Sequence, residues 1–129
     1  MAKNRIQQRS ILRKYSRLLH QPESHYTARG KIWVERGGEA YMGWGRVRLL
    51  ERIGRLGSIA AAARSMQMGY RNAWLEVETM NRLAPAPLVE KTAGGAGGGH
   101  ARLTEEGRRV TSEYRELRAR FQGFLKQVE

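Results

Sequence analysis

The stretch Ser58–Leu83, SIAAAARSMQMGYRNAWLEVETMNRL, constrains the fold of this chain more than any other. Ser58 is a good N-cap type, and the alanine-rich run from Ile59 to Met66 holds no helix breaker, so a short helix forms there at little conformational cost. Gln67, Met68 and Gly69 interrupt it, and Gly69 suits either the left-handed position of a turn or the N-cap of the next helix. From Tyr70 onward Ala73, Val77 and Met80 recur at i, i+4 and i+7 on one face, while Arg71, Leu75, Glu78 and Arg82 take the opposite face. Two short helices joined by so brief a turn, the second basic at its start, follow the plan of a helix-turn-helix. An ordinary helical hairpin inside a larger core is the competing reading.

Charge says what such a motif would meet. Lysine and arginine number 24 against 12 acidic residues, a formal net charge of +12 over 129 residues. That balance favours a polyanionic partner, nucleic acid ahead of a membrane surface. Hydrophobic residues make up 40%, enough for a modest core and against wholesale disorder. The length allows one domain with an appended arm. The absence of cysteine removes disulfides, thiolate metal sites and a cysteine nucleophile. No apolar run reaches membrane-spanning length and the N-terminus has no apolar signal core, so a cytoplasmic protein with no membrane partner is expected.

Residues 1–20 carry six basic residues and no acidic one. Arg5, Arg9, Arg13 and Arg17 share one helical face and Ile11, Leu12, Tyr15, Leu18 and Leu19 another, which predicts a basic amphipathic helix. Residues 21–30 read as a polar linker. Lys31–Glu35 reads as a strand, Gly37-Gly38 as a turn and Glu39–Met42 as the returning strand. Gly43-Trp44-Gly45 breaks the pattern. A helix then runs to about Leu56, with Val47, Leu50 and Ile53 inward and Arg46, Arg48, Arg52 and Arg55 outward, and Gly57 stops it.

Beyond Leu83, Pro85 and Pro87 end the second helix of the motif, because neither can donate into a helical ladder. Leu88–Glu90 restarts as a strand, and five of the six residues from Gly94 to Gly99 are glycine. Strand, glycine loop, strand describes a β-wing; a disordered linker is the alternative. Thr104 caps a last helix with Glu105 and Glu106 in its first turn, where the helix dipole favours anions. Val110, Tyr114, Leu117, Phe121, Phe124 and Val128 are spaced alternately by four and three, a heptad seam. That stripe could pack on the helix of residues 1–20, but a two-fold dimer is preferred because the stripe exceeds what so small a domain covers.

Catalytic and cofactor signatures are not found. The glycine run lacks the Gly-Lys-Ser/Thr that closes a phosphate loop, and His100 stands where the dinucleotide fingerprint needs its third glycine. His20, His25 and His100 have no metal-ligand spacing, and Ser58 and Ser65 belong to no nucleophile elbow. No enzyme activity, cofactor or metal is expected.

The segments GSIAAAARSMQMGYRNAW, MNRL and LVEKTAGGAGGGHARLTEEGRR together closely resemble the DNA-binding domain of ModE-type molybdate-responsive transcription regulators, which are winged helix-turn-helix modules related to the LysR type. The resemblance runs from about Lys31 to about Phe124. It implies a mainly α fold with a small β component, with 31–104 as the winged domain and 105–129 as a long dimerisation helix, while residues 1–30, the basic arm and linker, have no counterpart in the family. It also implies a homodimer on a palindromic operator in double-stranded DNA, connected to molybdenum metabolism and, in a bacterium, associated with the nucleoid. Family members usually have serine at the position of Gly69 and glycine at that of His100, and they continue into a molybdate-binding domain, whereas no ligand domain is evident in this chain before Glu129.

Tyr70, Arg71 and Asn72 match the start of the family's recognition helix, and Gly95, Gly97 and Gly98 lie in its wing. Arg71 and Asn72 are expected at base edges, with Tyr70 on backbone or packed. Arg46, Arg48, Lys91 and Arg102 are expected on phosphates, with Ser58, Gly69 and His100 placed to join them. The dimer interface is expected to use Val110, Tyr114, Leu117, Phe121, Phe124 and Val128. An architectural protein that coats DNA with little sequence preference is the alternative function.

Overall fold

The computed structural model of the protein describes residues 15–21, 24–92 and 99–128. Most of the basic arm, including Arg5, Arg9 and Arg13, and the wing glycines Gly95, Gly97 and Gly98 lie outside the described residues. The chain divides into a larger compact unit, Ile32–Glu116, and a smaller one formed by residues 1–31 and 117–129.

In the larger unit β3 (Val34–Arg36) and β4 (Glu39–Met42) form an antiparallel hairpin with a bulge after Val34. Gly37 and Gly38 have φ of 58° and 82°, the two consecutive positive values that a two-residue type I′ turn requires. The strand begins three residues later than the sequence pattern suggests. Gly43, expected to break the pattern, is the extended N-cap of α2 (Trp44–Leu56), and Gly45 lies within its first turn. Val47, Leu49, Leu50 and Ile53 are fully buried. Leu49 is the one the inward stripe omitted. Gly57 closes α2 in the left-handed conformation, with its N–H on the Ile53 carbonyl.

Ser58 caps α3 (Ile59–Ser65), its Oγ accepting from the Ala61 N–H at 3.0 Å. The turn into α4 (Tyr70–Leu83) places its left-handed residue at Gln67, with φ of 54°, and not at Gly69. The Gln67 N–H reaches the Arg64 carbonyl and the Met68 N–H reaches that of Ala63, both orphaned at the helix end. This pair of bonds is a Schellman motif, formed around a non-glycine residue. Ala73, Val77, Met80 and Leu83 form the buried stripe of α4, and the first three share one core with Ala62 and Ala63 of α3 and the apolar face of α2.

The wing is a second antiparallel hairpin, β5 (Val89–Thr92) paired with β6 (His100–Leu103) from Val89↔Leu103 to Thr92↔His100. Its root belongs to the core: Leu88 and Val89 are buried, as is Ala101, whose N–H bonds the Gly57 carbonyl at 2.9 Å. Thr104 stitches the root to α5 (Glu105–Val128). Its N–H donates to the Leu88 carbonyl at 2.9 Å, while its Oγ1 accepts from the Gly107 N–H at 3.0 Å and donates to the Pro87 carbonyl at 2.7 Å. Gly107 sits so close that a Cβ there would lie 2.4 Å from the Leu88 carbonyl oxygen. The resulting architecture is a winged helix-turn-helix with a long C-terminal helix.

In the smaller unit the helix read over residues 1–20 is seen among the described residues as the short α1 (Ser16–Leu19) and stops before His20, and a two-residue antiparallel pair, β1 (His20–Gln21) with β2 (Ser24–His25), runs from there into the segment read as a polar linker. Gly30 lies against the Phe121 ring, where a Cβ would come within 2.9 Å of it.

Candidate nucleic-acid interface

The start of α4 is an open basic feature of the helix-turn-helix. Gly69, its N-cap, has φ −64° and ψ 143°, an ordinary extended backbone, and no side-chain cap bond is made there. A Cβ at Gly69 would meet nothing, so the family's usual serine would fit this position without strain. Tyr70, Arg71 and Asn72 follow, all exposed. Neither the Arg71 nor the Asn72 side chain has a hydrogen bond or ion pair among the described residues.

The expected phosphate contacts behave differently. The Arg46 guanidinium donates to the carbonyls of Ala40 and Tyr41 at 2.6 and 3.0 Å and lies 4.0 Å from Glu76, so it braces α2 against β4 and α4. Lys91 pairs with Glu78 of α4, and its ammonium stands 4.8 Å from the centre of the Trp74 ring. Arg102 pairs with Glu90 across the wing, with Nε at 2.9 Å. Arg48 is exposed and makes no ion pair among the described residues. The Ser58 hydroxyl is occupied as the cap of α3. His100 is exposed at the head of β6, its carbonyl accepting from the Thr92 hydroxyl at 3.3 Å. Thus Arg71 is an arginine held out at the motif, while Arg46, Lys91 and Arg102 already neutralise carboxylates or cap carbonyls.

Three residues that position this surface were not read from the sequence. The Asn81 side chain accepts from the N–H groups of Leu88 and Val89 at 2.8 and 3.1 Å and donates to the Val89 carbonyl at 3.0 Å, fixing the wing root to α4. Its one sequence signal is its place four residues after Val77, at the edge of the apolar stripe. Arg36 donates at 2.6 Å to the Leu83 carbonyl, one of the four left open at the C-terminus of α4. Trp74, half-exposed, carries the Lys91 contact.

The seam of α5 is divided in its use. Val110 packs against the core, and Tyr114 is buried with its hydroxyl donating to the Ile32 carbonyl at 2.7 Å. Phe121 is half-buried and Val128 buried, whereas Leu117 and Phe124 are 39% and 44% exposed. The apolar surface of the seam that faces solvent is therefore centred on Leu117 and Phe124. Burial raises the pKa of Tyr41, helped by the charges of Glu106 and Glu113, and its hydroxyl has no hydrogen-bond partner among the described residues. No group of three or more potential metal ligands occurs among the described residues, and no helix among them is long and apolar enough to cross a membrane.

Comparison with known proteins agrees with this geometry. Residues 44–108, half of the chain, match the family of bacterial regulatory helix-turn-helix proteins of the lysR type, a span that runs from α2 through the wing into α5. The chain is 49% identical over 80 residues to the molybdenum transport protein ModE of Azotobacter vinelandii, covering 62% of this chain and 30% of that protein. It is 47% identical over 92 residues to the molybdenum-pterin-binding protein MopB of Rhodobacter capsulatus, covering 71% and 33% respectively. It is 41% identical over 69 residues to the DNA-binding transcriptional dual regulator ModE of Escherichia coli K12, covering 54% and 26%. The chain thus spans a third or less of the length of these relatives. With the motif, the wing and the family match in register, the chain belongs to the lysR family of bacterial regulatory helix-turn-helix proteins.

Proposed function

We propose that this chain binds double-stranded DNA as a homodimer, recognises a palindromic operator and regulates transcription of genes connected to molybdenum metabolism. Arg71 carries the reading: a guanidinium without an intramolecular partner among the described residues, at the exposed start of the second helix of the motif. An arginine there suits the O6/N7 edge of guanine, and Asn72 beside it suits adenine. Gly69 and Arg48 supply neighbouring backbone contacts, and the wing with His100 reaches a flanking phosphate. The molybdenum link rests on the names of the relatives, ModE and MopB.

The dimer is proposed to close on Leu117 and Phe124 of α5, which carry the exposed part of its apolar stripe. Two recognition helices related by a two-fold axis would then address half-sites about one turn, roughly 34 Å, apart. The net charge of +12 favours one competing reading, an architectural protein that coats DNA.

Selection of bound fragments from a random duplex pool, followed by footprinting, separates the two: discrete palindromes for a regulator, diffuse coverage for a coating protein. On the selected site Arg71→Ala should cost about 1–3 kcal/mol while leaving random DNA unchanged. Equal loss on both DNAs would make Arg71 a phosphate contact. Replacing Leu117 and Phe124 together by glutamate should give a monomer in sedimentation; a persistent dimer would move the interface elsewhere.

A further inference from the structure

The first turn and a half of α4 exposes more than its arginine. Tyr70, Trp74 and Leu75 are 56%, 37% and 44% exposed, and with Arg71 they line one shallow groove. Three large apolar side chains gathered in solvent at the start of one helix mark a contact surface. Trp74 is partly covered by the Lys91 ammonium, but Leu75 has no such cover. Leu75 follows Arg71 by one helical turn, on the same face.

We propose that Leu75 is a specificity-determining residue that reads a thymine by packing on its C5 methyl group, with Tyr70 and Trp74 walling the contact. This rests on the DNA-binding reading given above. The major-groove edges of the four base pairs present hydrogen-bonding groups and a single apolar one, the thymine methyl. An exposed leucine beside an arginine held out for a base edge fits that group and no other there. Four residues advance a helix by about 6 Å, and successive bases are about 3.4 Å apart. The thymine therefore lies about two base pairs from the base facing Arg71. An acidic residue in place of Leu75 would lose this preference without disturbing the fold, because the side chain lies outside the core.

The test uses the full chain and the duplex recovered by selection. Each thymine of a half-site is replaced singly by deoxyuridine, which removes the methyl group and leaves base pairing intact. The wild-type chain should lose about four-fold in affinity at one such position, the value of burying one methyl-sized group. Leu75→Ala should bind the thymine duplex about four-fold more weakly than wild type and show no further loss with deoxyuridine at that position. Thermal unfolding of the variant should match wild type. If the duplex is bound specifically but no thymine shows a loss that Leu75→Ala abolishes, the methyl contact is overturned while DNA recognition stands. If selection enriches no sequence at all, sequence-specific recognition itself fails and the methyl contact falls with it.

Discussion

The second helix of the motif, α4, is flanked by two antiparallel hairpins of similar size, β3–β4 on its N-terminal side in sequence and the wing, β5–β6, on the other. The first turns through two left-handed glycines, and of its strand residues only Met42 is buried. Its polar links to α4 are exposed or half-exposed: Arg36 on the Leu83 carbonyl, Arg82 paired with Glu39, and a bridge through Arg46 of α2, which bonds the Ala40 and Tyr41 carbonyls and stands near Glu76. The wing instead enters the core through Leu88, Val89 and Ala101, and Asn81 gives three hydrogen bonds to its backbone. One hairpin is held by Met42 at its end and by charged side chains, whose exposed pairs water and salt screen. The other is built in, and its fastening bonds run to the backbone of the buried residues Leu88 and Val89. The helix that carries Arg71 is therefore held at its C-terminal turn from two sides, to the wing root through Asn81 and to the β3–β4 hairpin through Leu83 and Arg82.

The largest expected effect tests the wing side. Asn81→Ala leaves the Leu88 and Val89 N–H groups and the Val89 carbonyl without their partner, at a cost of about 3 kcal/mol in denaturant unfolding. Arg36→Ala removes one partly buried bond to an end carbonyl and should cost about 1 kcal/mol. Should the two variants prove equally costly, the contrast between the hairpins breaks down. The smallest effect sharpens it. The bond from Arg82 holds the Glu39 carboxyl below its ordinary value of 4.5. A lowered folded pKa means that this link contributes above the unfolded value and is lost as pH falls through the folded one. Glu39→Gln should therefore be slightly less stable than wild type at neutral pH and low salt. The two should converge on acidification and in high salt. A gap that persists in acid would show that Glu39 acts by packing and not by charge.

What was legible in the sequence was local. Ser58, Gly57 and Thr104 declare their caps through residue type alone, because each cap closes within a few residues of its own helix. The wing strands and the length of α5 followed from turn residues and heptad spacing. Gln67 was hidden because a left-handed turn is read from glycine, and here a Schellman motif closes around glutamine. Leu49 was hidden because α2 is covered on more than one side, which a single stripe does not express. Tyr114 reads as a seam residue, yet its hydroxyl meets Ile32, 82 positions away in sequence. Of the site, the exposure of Arg71 and Leu75 was legible from the helical period. The engagement of Arg46, Lys91 and Arg102 with neighbouring elements was not, because a charge on a surface face looks the same whether or not a carboxylate waits opposite.

The join at Gly107 bears on how the domain opens. Backbone meets backbone there, and the Leu88 carbonyl, the Thr104 hydroxyl and the Gly107 N–H share one chain of hydrogen bonds. The first turn of α5 cannot fray without breaking bonds to the wing root, nor can the root peel away alone. The amides of Thr104, Gly107 and Arg108 should therefore exchange with solvent hydrogen at one common free energy with those of Leu88 and Val89, as a single cooperative unit, and more slowly than the amides of the β3–β4 hairpin.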